Sequence, residues 1–125
     1  MDSNAAAKRE LLRHALATLA YRGGKTIRGA PQDFSAFRVK AGSRTPGEIL
    51  AHVGDLLDWA LSLARGAQVW RDSAPQPWDR DVERFFDLLR AFDAYLGSEG
   101  ELAFAPELRI SSIFFRSQVR GSLTR

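Results

Sequence analysis

"RTPGEILAHVGDLLDWALSLARG", residues 44–66, reads as one amphipathic helix with both of its ends marked. Thr45 is a natural N-cap, Pro46 suits the first helical position, and Glu48 completes a capping box by reaching back to the N–H of the cap. Gly66 closes the helix, with Arg65 near the negative end of its dipole. About 20 residues at 1.5 Å rise span ~30 Å. On a helical wheel Ile49, Val53, Leu57, Ala60 and Ala64 form the apolar face, with Leu56 and Leu63 beside them. His52 and Trp59 fall on the flank of that face, so the imidazole is expected at a seam between packed helices.

The pattern continues on both sides. Upstream, a first helix is expected over about Asn4 to Arg22, because Leu12, Ala15, Leu16, Leu19 and Ala20 recur at three- and four-residue steps. Ser3 or Asn4 can cap it, and Gly23-Gly24 is read as its stop. Residues 25–44 form a long connection, in which Phe34 and Phe37 are spaced to pin one helical turn, "PQDFSAF", onto the body of the protein. Downstream, a second connection runs from about Ala67 to Trp78. A third helix follows, capped by Asp79 or Asp81, striped by Val82, Phe85, Phe86, Leu89, Phe92 and Leu96, and closed by Gly97. In residues 106–125, Pro106-Glu107 can open a fourth helix. Leu108, Ile110, Ile113, Phe114 and Val119 do not share one helical face, however, and "RISSIFF" suits a strand as well as a helix. The expectation is an all-α bundle of three well-marked helices and a weakly specified fourth.

A chain of 125 residues makes one domain with a single core. No apolar run approaches the roughly 18 residues of a membrane span, and the polar N-terminus lacks the apolar core of a secretory signal. With zero cysteines, disulfides, thiolate zinc sites and thiol catalysis are excluded, and a cytoplasmic protein with no membrane partner is expected. Residues 1–45 carry nine Lys/Arg against three Asp/Glu, net +6; residues 46–105 carry five against eleven, net −6. Basic and acidic helices lying side by side account for this split. A nucleic-acid surface through Arg9, Arg13, Arg22, Lys25 and Arg28 is the less favoured reading, since no block of five like charges occurs.

His52 has carboxylates at helical spacing on both sides, Glu48 four residues before and Asp55 three after. Either can accept from the second ring nitrogen and fix the tautomer, as partners of metal-bound histidines do. The same residues also read as a surface cluster around a boundary histidine. His14 falls on the polar side of the first helix. "GGKT" at residues 23–26 lacks the earlier glycine of a phosphate-binding loop, where Leu19 stands, so no nucleotide cofactor is expected. Arg22, Lys25 and Arg28 retain a capacity for loose anion binding. Trp59, Trp70 and Trp78, with Phe85 and Phe86, line either the core or a ligand pocket or dimer face. Serine has no triad partner, and Asp55/Asp58 and Asp79/Asp81 read as solvated faces and caps.

Taken in order, "LLRHALATLAYRGGKTIRGAP", "RTPGEILAHVGDLLDWALSLARGAQVW" and "DVERFFDLLRAFDAYL" resemble the DinB-like proteins over about residues 8–105. These are small bacterial four-helix bundles, many of them classed as candidate metalloenzymes. The resemblance implies a single DinB-like domain over 1–125 with an atypical tail at 106–125. It also implies that His52 matches the first of three metal-binding histidines, the other two coming from the fourth helix and the metal being zinc or nickel. No histidine follows His52 in this chain. The expected protein is therefore a DinB-like domain with a degenerate or incomplete metal site. The competing expectation is a non-catalytic helical homodimer or small-ligand-binding module.

Overall fold

The computed structural model describes residues 3–103, which form three α-helices, α1 (Ser3–Ile27), α2 (Pro46–Ala64) and α3 (Trp78–Leu96), and a short 3-10 turn at Gln32–Ala36. No strand occurs among the described residues. The expected fourth helix falls on residues outside them. Around α2 the local signals hold. Glu48 N–H donates to Thr45 Oγ1 at 3.1 Å, and Thr45 N–H returns to the Glu48 carboxylate at 3.4 Å. Gly66 takes φ +91°, the left-handed conformation that ends the helix.

Two boundaries differ from the sequence reading. Gly23 and Gly24 lie inside α1, which continues to Ile27. Their role is close approach: a Cβ on Gly23 would stand 2.9 Å from the Phe85 ring, and one on Gly24 would stand 3.4 Å from Phe86. The chain leaves the helix later, through Gly29 at φ +83°. At α3, Pro77 occupies the cap position and no side chain caps it, so neither Asp79 nor Asp81 serves. Asp81 is buried and accepts instead from the Gln76 backbone N–H at 3.0 Å and side-chain amide at 3.3 Å.

α3 lies between the other two helices. α1 runs antiparallel to it: Gly23 and Gly24 meet Phe85 and Phe86 at one end, while Arg13 pairs with Asp93 at 3.0 Å towards the other. α2 runs parallel to α3. Leu50 packs with Trp78 and Phe85, Asp55 meets Arg84, and Leu61 and Ala64 pack with Phe92 and Leu96. Parallel helices cannot be joined by a tight hairpin, so the chain must travel back along α2 before α3 begins. That geometry explains the long second connection. Among the described residues two buried clusters form the core, and Leu16 of α1 packs against both. Ala103 N–H donates to the Ala64 carbonyl at 3.0 Å and ties the end of the described chain to the end of α2.

Candidate functional site

The returning segment, residues 67–77, forms a strap along the flank of α2 that carries His52. Val69 N–H donates to Ser62 Oγ at 3.2 Å, Arg71 approaches Asp58 at 3.7 Å, and Gln76 is held by Asp81. Between these points Trp70 sets its ring edge-on to two α2 side chains. Its centroid lies 6.4 Å from Trp59 and 5.9 Å from His52. Trp78, Phe85 and Phe86 are buried in the core, so the aromatic residues divide into core rings and a separate group around the histidine.

The strap is latched at Asp55, which is 1% exposed. Its carboxylate accepts from Ser73 N–H at 2.8 Å, Ser73 Oγ–H at 2.7 Å and the Arg84 guanidinium at 2.7 Å. Arg84 also donates to the Ala51 carbonyl at 3.4 Å. Burial on its own raises the carboxyl pKa. The Ser73 N–H, the Arg84 guanidinium and the Ser73 hydroxyl outweigh it and hold Asp55 below its ordinary value. Gly54 makes this possible, because a Cβ there would stand 2.7 Å from Arg84 Nη1.

His52 is half-buried and lines a polar cleft of about 210 Å³ between α2 and the strap. Arg44, Glu48, Asp72, Ser73 and Pro75 share the lining, with the Asp55 latch at one side. The carboxylates expected to orient the imidazole are engaged elsewhere. Glu48 is bound by the Thr45 hydroxyl and N–H and by Arg38 at 3.1 Å, which together hold it below the ordinary carboxylate range. Asp55 is taken by Ser73 and Arg84. Trp70, not a carboxylate, sets the ring against the strap.

Three ligands for a divalent ion are not assembled: no group of three His, Cys, Asp or Glu suited to a metal occurs among the described residues. The remaining sequence adds no histidine or cysteine, and Glu107 is its only acid after Ala103. His14 is exposed on α1, away from the cleft. The residues present therefore do not fit the three-histidine centre implied by the family resemblance.

The basic residues separate as well. Arg9 donates to the carbonyls of Leu96, Ser98 and Gly100, and Arg13 pairs with Asp93, so both serve the packing of α1 on α3. Arg22, Lys25 and Arg28 are exposed near the other end of α1. The sequence does not single out Arg84 or Ser73, and its spacing marks Asp55 as a surface residue or a partner of His52. One signal pointed there: a glycine in mid-helix costs about 1 kcal/mol relative to alanine and calls for a packing reason. Comparison with known proteins finds no matching family model, no matching curated protein and no matching solved structure.

Proposed function

We propose that this chain is a DinB-like helical domain whose working surface is the His52 cleft, and that it acts as a small-ligand-binding module built on a degenerate metal site. The observation that carries this reading is the commitment of both neighbouring carboxylates. Glu48 serves the helix cap and Asp55 the strap, so the imidazole faces the cleft without the oxygen partners that position a metal-bound histidine. A polar cleft with one imidazole, one guanidinium and one free carboxylate suits a small polar molecule held by hydrogen bonds. The fourth layer of such a bundle, from residues after Ala103 or from a second copy, belongs to the same reading.

Metal analysis of protein purified without a histidine tag tests it. Less than about a tenth of an equivalent of zinc or nickel is expected, since catalytic zinc usually takes three protein ligands. One equivalent of bound metal, lost in His52→Ala, would overturn it.

A homodimer through helix faces is the second reading. It is favoured by the exposure of Leu11, Leu19 and Tyr21 on α1 and of Ile49 on α2. Light scattering tests it: a mass twice that of the chain is expected, and a monomer at all concentrations rejects it.

A further inference from the structure

We propose that the loop between α1 and α2 docks this protein onto the surface of anionic lipid bilayers. Residues 37–40 read Phe-Arg-Val-Lys, and the two apolar members stand in solvent, Phe37 57% exposed and Val39 82%. The loop that carries them has a defined shape. A turn over Lys40–Ser43 is closed by Ser43 N–H to the Lys40 carbonyl at 3.2 Å and Ser43 Oγ–H to the same carbonyl at 2.7 Å, with Gly42 at φ +84°. The Arg38 guanidinium is tied to the Ser43 carbonyl and to Glu48. The base of the loop is fixed by Phe34 edge-on to Trp78, 5.7 Å between centroids, and by the Ser35 carbonyl close against Gly47. Phe37 and Val39 are thus presented outward from an anchored loop.

Cations are carried by this segment and by the same end of the bundle, where the end of α1 and the start of α2 meet the first half of α3. Arg38 and Lys40 alternate with Phe37 and Val39 in sequence, Arg22 and Lys25 occupy the last turns of α1, and Arg28 follows directly, where the same loop begins. Lys25 rests over the Tyr21 ring and Arg28 over Phe86, each at 4.4 Å, so neither is drawn into an ion pair within the described residues. The fold concentrates this charge by using Arg9 and Arg13 for internal contacts at the opposite end of α1.

A bilayer interface satisfies both features together. Apolar side chains enter the boundary between headgroups and acyl chains, while cations meet the anionic headgroups. A nucleic acid would use the cations and stack on Phe37, but it offers nothing to Val39. A second copy would bring like charges face to face. The contact is one of surface docking, since no helix among the described residues is long and apolar enough to cross a membrane.

Co-sedimentation of the full chain with vesicles tests the proposal, using phosphatidylcholine alone and phosphatidylcholine with about 30% phosphatidylserine. Binding to the anionic vesicles, weakening as salt rises, is expected. A Phe37→Ser, Val39→Ser double variant should partition at least about tenfold less with unchanged helicity, since both side chains already lie outside the core. Lys40→Glu should lose about fivefold or more. Three results would overturn the proposal. One is no binding to either vesicle. Another is a double variant that binds lipid as well as the parent while a dimer falls to a monomer. The third is binding confined to a single-stranded oligonucleotide and weakened by Phe37→Ser but not by Val39→Ser.

Discussion

At position 55 a carboxylate 1% exposed faces a guanidinium that is itself 21% exposed, and the Ser73 N–H and Arg84 together compensate the carboxylate for lost water. Removing the carboxylate strands the Arg84 charge and the Ser73 N–H together. Asp55→Ala is expected to cost about 3 kcal/mol, read from urea unfolding, the low end of the range for breaking a buried pair because Arg84 retains some water. The pH dependence follows from the direction of the Asp55 shift. Its folded-state affinity for a proton is lower than in the unfolded chain, so the unfolded state binds more protons in acid. The stability it contributes is present above the ordinary Asp value of about 3.9 and is lost as pH falls through the lower folded value. Glu48 contributes with the same sign. Asp55→Asn is therefore expected to flatten the dependence of the urea midpoint on pH below about 4.

At the level of elements, adjacent glycines in α1 should respond differently to the same change. Alanine is favoured over glycine in a helix by about 1 kcal/mol. Gly24→Ala leaves its Cβ at 3.4 Å from the Phe86 ring, a contact that small adjustment relieves, and is expected to be neutral or stabilising by up to about 1 kcal/mol. Gly23→Ala drives a Cβ to 2.9 Å from Phe85, a buried ring with little room to retreat, and is expected to cost about 1–3 kcal/mol. Thermal melts of the two variants, measured side by side, check both signs. The sequence alone reads this pair as a helix stop because left-handed turns and close contacts both call for glycine. Only the position of α3 tells them apart.

Across the whole molecule, the parallel course of α2 and α3 makes the strap part of the architecture. The strap carries Trp70 against Trp59 and His52, so two of the three tryptophans report on it, with Trp78 reporting on the core, while helical circular dichroism reports on the bundle. Leu16 packs on both core clusters, and Asp55 couples strap to helices. One cooperative transition seen by both probes is expected for the parent chain. In Asp55→Ala the fluorescence change should come at lower urea than the loss of helicity. Coincident transitions in that variant would show that the strap is held by its aromatic contacts instead.

The sequence by itself determined the three helices, the capping box at Thr45 and Glu48, the stop at Gly66, the apolar stripe of α3 and the placement of His52 on a helix flank. Each of these depends on residues within about one helical turn of one another, where spacing dictates geometry. The tertiary structure alone decided that α2 and α3 run parallel, that Asp55 is a buried latch, and that Asp55 is bonded to Ser73 and Arg84 rather than to the imidazole. Ser73 and Arg84 reach Asp55 from 18 and 29 residues away. Contacts of that range follow from the register in which whole elements pack, and no local pattern in the chain encodes that register.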